Sequence, residues 1–337
     1  MHSRKGRGAG IILSLDNGIG VVMEGVEIDL DPKRVEGLSF ISHAHSDHTP
    51  RSYKGEVIST KATKKLLRNY SEEKDNGEFN CEIQLDDLKI RMLESGHILG
   101  SSQIRIENSF TLTYTGDLDI KGGETTKKAE IQKCDILIIE STFGSPYYRF
   151  PPKDEAIKQM KDWIIDCYSK NVTPILMGYS LGKAQDLTKA FSRDFKVVVH
   201  EKIYDFNRKY EELGVDLGEY TCCSEFDGRD DYLLIMPPRV KDERLYFLKD
   251  YSKALVSGWA VHGGAKYRYR ADEAFTFSNH SDFESLVSYV EKASPQAVYT
   301  VHGFAREFSS ELNAMGFYSQ PLKKVCNGMQ KGLTDFI

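Results

Sequence analysis

Nowhere in the 337 residues do two cysteines stand in a Cys-x-x-Cys pair, although there are six of them. The adjacent Cys222 and Cys223 have poor geometry for a shared metal, so thiolate metal sites of the ribbon or redox type are not expected. Scattered reduced thiols fit a cytoplasmic protein. No uninterrupted apolar run approaches the ~18–20 residues that span a bilayer. The basic start, residues 1–7, is followed by Asp16 and several glycines, which argues against a signal peptide. There is no excess of positive charge either: the formal net charge is −5, which excludes coating nucleic acid by bulk charge but not a local basic groove. No repeat or low-complexity tract interrupts the chain, and its length suits two domains of ordinary size.

Histidine is also scarce, at nine residues, yet three fall within six positions in His43-Ala44-His45-Ser46-Asp47-His48. Neutral imidazoles and a carboxylate are the ligand set of zinc and its first-row neighbours. The preceding Leu38-Ser39-Phe40-Ile41-Ser42 reads as a short buried strand, which puts the cluster on a strand-end loop. The alternative is a hydrogen-bonded polar turn.

Up to about residue 147 the chain alternates short β-rich runs with turns. Strands are expected at 10–13, 20–23, 56–60, 81–93, 103–107, 110–115 and 134–140, with a helix at 61–70. From about 148, helix and strand alternate. Helices are expected at 154–169 and 182–191, and strands at 174–177, 196–200, 232–236 and 254–257, which favours a parallel sheet with flanking helices. A strand, helix, strand and helix follow at 274–278, 281–293, 297–301 and 305–315.

Further single residues sit at strand ends. His97 lies between two strands in Ser95-Gly96-His97, Asp117 follows a strand in Thr115-Gly116-Asp117, and His302 follows another in Val301-His302-Gly303. Each alone is more often a satisfied polar residue than a ligand. As a set they repeat one pattern.

On these residues the sequence resembles the metallo-β-lactamase superfamily, and within it the β-CASP nucleases. The resemblance covers nearly the whole chain after the first ten residues. His-x-His-x-Asp-His, Gly-His and Gly-Asp correspond to three superfamily motifs. Glu140 in Ile139-Glu140-Ser141-Thr142-Phe143-Gly144, His280 in Ser278-Asn279-His280-Ser281-Asp282, and His302 match the three further β-CASP positions. Tyr179-Ser180-Leu181-Gly182-Lys183-Ala184 and Ser257-Gly258 look like landmarks of the inserted domain.

The resemblance implies an α/β fold: an αββα sandwich with an inserted α/β domain. Its parts would be residues 1–147, an insertion at 148–271 and a return segment at 272–337. It further implies that His43, His45 and His97 hold one zinc ion and Asp47, His48 and His302 a second, with Asp117 bridging, and manganese as another possible occupant. Two such metals polarise a phosphodiester and supply hydroxide at neutral pH, which Asp47 would orient. Glu140 would raise the pKa of His280 and fix its tautomer, making it a general acid. The plainer readings are a helix cap for each, Glu140 before Ser141-Thr142 and His280 before a helix near Asp282.

Signals for a substrate are softer. Lys266-Tyr267-Arg268-Tyr269-Arg270 alternates, so on a strand its cations share one face and its tyrosines the other. Such a ribbon contacts phosphates and bases, or is simply a solvated face over a packed one. Lys61, Lys64, Lys65 and Arg68 give a basic helix face. Lys183, Ser257 and Gly258 are weaker phosphate-binding candidates. His2, His200 and His262 match no family position.

The expected activity is nuclease, hydrolysing DNA or RNA. The look of 143–151 and 301–305 is closest to ligase-associated DNA exonucleases, and other features lean towards proteins like mRNA 3′-end processing factors. A DNA ligase or a processing complex is the expected partner, and no membrane is expected. Small-molecule hydrolases of the same fold lack the insertion and the Glu140/His280 pair. Inactive scaffold relatives lose metal ligands that are all present here.

Overall fold

The structure is a computed structural model that describes residues 11–14, 17–68, 70, 77–226, 231–240 and 250–322. The basic start with His2, and Cys326 near the end, lie outside the described residues.

Three sheets organise the chain. The first runs β1 (Ile11–Ser14), β2 (Ile19–Met23), β3 (Val26–Leu30), β4 (Ser39–Phe40) and β5 (Val57–Ile58), in that spatial order. Glu24 and Gly25, at φ 52° and 83°, form the two-residue turn between β2 and β3. Positive φ at both positions is the type I′ geometry whose twist matches a hairpin.

The second sheet holds β6 (Glu82–Leu85), β7 (Leu88–Glu94), β8 (Ser102–Glu107), β9 (Thr111–Tyr114) and β10 (Ile136–Glu140). Two strands return to it from late in the sequence, β17 (Ala297–Val301) and β18 (Ser319–Pro321). Their order is β18-β17-β10-β9-β8-β7-β6. The single strand expected at 81–93 is two, folded back on each other at Asp86, where φ is 49°.

These two sheets pack face to face. Val21, Ile28, Leu30 and Phe40 of the first share a core with Ile90, Ile104, Tyr114 and Ile138 of the second. On the far side of the second sheet, Leu137, Ile139 and Val298 pack under α6 (Phe283–Ala293) and α7 (Ala305–Ala314). β10 is therefore covered on both faces, which is why its sequence is a continuous apolar run rather than an alternation.

The third sheet is wholly parallel, ordered β13-β12-β14-β11-β15-β16. It comprises β11 (Thr173–Met177), β12 (Val197–Val199), β13 (Tyr220–Cys222), β14 (Leu233–Met236), β15 (Tyr251–Val256) and β16 (Glu273–Phe275). It thus takes in a strand beyond the boundary expected at 271. Ala156, Met160 and Ile164 of α2 (Lys153–Ser169) and Ala184, Leu187 and Phe191 of α3 (Lys183–Phe191) cover one face. α4 (Glu201–Glu212), for which the sequence reading had no element, packs Ile203 into the same core.

The alternating segment 266–270, which on a strand would divide its cations and tyrosines between two faces, falls instead in a short helix, α5 (Ala265–Tyr269), closed by Arg270 in the left-handed conformation. Its i and i+4 residues, Ala265 and Tyr269, lie in the core of the opposite face with Met177 and Leu255. β15 already has β11 and β16 as neighbours, so it leaves no edge for another strand. The helix expected at 61–70 ends early as α1 (Lys61–Leu66), capped by the Thr60 side chain. The architecture is mixed α/β. Among the described residues no helix is long and apolar enough to cross a membrane.

Candidate metal centre and active site

β9, β10 and β17 are parallel neighbours, so Asp117, Glu140 and His302, at or just beyond their ends, emerge at one edge. The loop after β4 brings His43, His45 and His48 to the same place, and the β7–β8 loop brings His97. Ligand atoms of His43, His45, His97 and Asp117 lie within 4.8 Å of one another.

Hydrogen bonds on the outer side of each ring fix which nitrogen faces inward. The Ser42 hydroxyl donates to Asp31 Oδ2 at 2.6 Å, so it must accept from His43 Nδ1 at 2.9 Å. That leaves His43 Nε2 as a bare lone pair, buried and without a hydrogen-bond partner. His45 Nε2 donates to the Leu181 carbonyl at 3.1 Å and His97 Nδ1 to the Asn279 carbonyl at 2.9 Å, because a carbonyl only accepts.

Their inner nitrogens, His45 Nδ1 and His97 Nε2, are then two lone pairs 3.0 Å apart. His43 Nε2 and His97 Nε2 lie 3.4 and 3.5 Å from Asp117 Oδ2. Burial holds all three imidazoles below their usual range, His43 and His97 well below it, with neighbouring histidines adding to the effect at both. Three neutral imidazoles with converging lone pairs beside a carboxylate are a fitting donor set for a divalent cation.

The other side of Asp117 differs. His48 Nε2 is 3.4 Å from Asp117 Oδ1, and its Nδ1 is 2.7 Å from Asp31 Oδ2. Burial pulls the His48 pKa down, but the carboxylates of Asp117 and Asp31 outweigh it and raise it to about 10. The same field that favours a proton there favours a metal ion. His302 is exposed, with its ring 5.2 Å from that of His48 and its backbone at φ 61°. Asp47 is exposed on the cavity wall.

Glu140 is fully buried and accepts from the backbone N–H of Leu118 at 2.7 Å and of Thr142 at 3.2 Å. Its two oxygens lie 3.0 and 3.2 Å from His280 Nδ1. Burial lowers the His280 pKa, and Glu140 and then Asp117 more than reverse this, pushing it up to about 9. His280 Nε2, 3.9 Å from Asp117 Oδ2, therefore carries a proton towards the cluster. The helix-cap reading of His280 fails, because α6 is capped by Asp282, whose side chain accepts from Ser285 N–H.

His45, Asp47, His48, His97, Asp117, His280 and His302 line a cavity of about 880 Å³ that also reaches Lys183, Ser257, Gly258 and Arg68. Lys183 is buried, and burial brings its ammonium down to about 7. It donates to the Phe277 carbonyl and Asn279 Oδ1, both at 2.8 Å, while Asn279 Nδ2 donates to Asp186. Lys183 thus fixes the segment that carries the acceptor of His97 and also His280. Gly182, at φ 87°, lets the start of α3 approach: a Cβ there would meet Ile98 Cγ2 at 2.2 Å. Lys266, Arg268 and Arg270 are not among the residues lining the cavity, and α5 turns Arg268 to a different side from Lys266, so the three do not share a face. Of the basic face on α1, Lys65 pairs with Glu212 at 2.9 Å.

Sequence reasoning missed Asp31, Ser42, Asn279 and Leu181, which orient the four imidazoles. Only Asp31 left a trace, as the acidic residue just past the alternating strand β3.

Fold and cluster together define a mixed α/β protein with a donor set able to hold a metal ion. No protein-family model matches the chain. A probable DNA ligase of Opitutus terrae is 33% identical over 297 residues, 85% of this chain and 29% of that one. An RNase J-like protein of Methanocaldococcus jannaschii is 29% identical over 153 residues, 44% of this chain and 34% of that one. The chain spans about a third of the length of these curated relatives. A protein of unknown function from Enterococcus faecalis V583 shares the fold at 15% identity, with a TM-score of 0.61 over 87% of this chain and 80% of that one. These similarities agree with the resemblance of its motifs to the β-CASP branch of the metallo-β-lactamase superfamily.

Proposed function

We propose that the chain is a metal-dependent nuclease that hydrolyses phosphodiester bonds, with DNA as substrate and exonucleolytic end processing as its task. The observation that carries this is His280, hydrogen-bonded at Nδ1 to buried Glu140, beside a cluster of inward-facing imidazole lone pairs at Asp117. In this reading His43, His45 and His97 would hold one zinc ion and Asp47, His48 and His302 a second, with Asp117 shared between the two sets. Manganese is the alternative metal. Such cations supply Lewis acidity and lower the pKa of water.

The chain's own groups do the rest. Asp47 orients the attacking oxygen. His280 gives its Nε2 proton to the leaving oxygen, and Glu140 keeps the ring charged and oriented at Nδ1. The two facing sheets and helices form the αββα sandwich, with the inserted domain running from about residue 148 through β16. Lys183 and the Ser257-Gly258 backbone border the path of the substrate.

The DNA reading, and a DNA ligase as partner, rest on the similarity of most of the chain to part of a probable DNA ligase. An RNA substrate is the second reading, favoured by the RNase J-like relative. End-labelled DNA and RNA of one sequence, with 5′ phosphate or hydroxyl, test both. Stepwise shortening of DNA is expected; shortening of RNA alone would transfer the assignment, and digestion of neither would end it.

A further inference from the structure

Phe143 and Trp259 line one side of the cavity, Tyr147, Tyr148 and His262 pack beyond them, and the metal cluster needs none of these five rings. Phe143 stands 5.8 Å from the His280 ring and 4.8 Å from the indole of Trp259. Beyond it, Tyr147 and His262 lie parallel, centroids 4.4 Å apart at an interplanar angle of 10°. Buried Tyr148 holds that pair, with its hydroxyl 2.6 Å from His262 Nε2. Gly258 permits the packing, since a Cβ there would fall 2.6 Å from the Phe143 ring.

The outer members are not core. Tyr147 is 56% exposed and Trp259 37%, and His262 is exposed as well. Across the cavity, Tyr179 is 51% exposed. A hydrophobic cluster formed only to stabilise the fold would bury its largest rings. This one fixes them and leaves them at the surface, continuous with the wall that carries His280.

Resting on the nuclease reading above, we propose that Trp259 and the Tyr147–His262 pair form a stacking ledge for unpaired bases of a single nucleic-acid strand. The strand's phosphates would run into the cavity towards Asp117. Flat, immobilised rings bind base faces of any sequence, and those faces are free in a single strand but hidden inside a duplex. Fixing the rings beforehand lowers the ordering cost of binding.

The test uses the full chain carrying Trp163→Phe, which leaves Trp259 as the fluorescent reporter, there being two tryptophans. Phosphorothioate-linked oligonucleotides resist cleavage, and two are compared: a purine strand and an abasic strand of equal length. The purine strand should quench Trp259 and bind roughly five- to a hundredfold more tightly than the abasic one. Tyr147→Ala should remove much of that difference, and Trp259→Phe, which keeps a stacking face, should retain it. Equal affinity for the two strands, with cleavage intact, overturns the ledge and leaves the nuclease reading standing. Neither binding nor cleavage overturns both. A dimer in light scattering that Tyr147→Ala dissociates would assign the rings to a second copy of the chain and overturn the ledge.

Discussion

On one side of Asp117, His43, His45 and His97 converge with every outer nitrogen tied to Ser42, Leu181 or Asn279. On the other, His48 alone is buried, while Asp47 and His302 reach in from exposed positions. The first half is organised before any cation arrives; the second needs its outer ligands to settle around one. Rigid outer hydrogen bonds raise affinity and fix tautomers. The closed half is therefore expected to bind metal more tightly, and the open half to exchange it and meet substrate.

The strongest way to break this contrast is to remove a ligand from each side. His97→Ala should lose a metal equivalent and bring cleavage below detection. His302→Ala should keep the tight equivalent and lose the other only on dilution or mild chelation. Metal analysis by mass spectrometry of both variants checks this, and equal losses would erase the distinction.

Next in size, His280→Ala should lower cleavage by about 10²–10⁴-fold with metal content unchanged, the range of a general acid. His280 must be protonated to act. With Glu140 present, that form persists until pH rises through about 9. Glu140→Gln should bring the fall in kcat down towards the ordinary value of 6.5. A pH–rate profile that does not move would remove Glu140 from this role.

A smaller effect is expected at Asp31, which accepts from Ser42, Tyr114 and His48. Asp31→Asn should weaken metal binding by about 10–100-fold, mainly on the His48 side. Titration calorimetry resolves whether one equivalent or both respond. Smallest of all, replacing Lys266, Arg268 and Arg270 together by alanine should leave cleavage unchanged, and stability within about 0.5 kcal/mol per site.

That last expectation reverses a reading of the sequence. Lys266-Tyr267-Arg268-Tyr269-Arg270 has period two, which on a strand would divide its cations and tyrosines between two faces. β15, however, is already paired on both sides, and Ala265 and Tyr269 could bury together only at helical spacing. The metal cluster was legible because ligand chemistry is confined to few residue types, and five of its members sit in recognisable strand-end contexts. What orients it was not. Leu181 and Asn279 act through backbone carbonyls, which every residue has, from 136 and 182 positions away. Glu140 and His280 are 140 positions apart, and only their shared family context pointed to a pair. α4 escaped notice because a polar residue, Asn207, occupies one of its buried positions.

The most direct test strips the purified protein with a chelator, measures cleavage of end-labelled DNA, and then restores zinc or manganese while counting bound metal. Cleavage should vanish on stripping and return as the equivalents refill, with the second equivalent completing it. Undiminished cleavage by metal-free protein, or none from protein carrying both equivalents, would contradict the account.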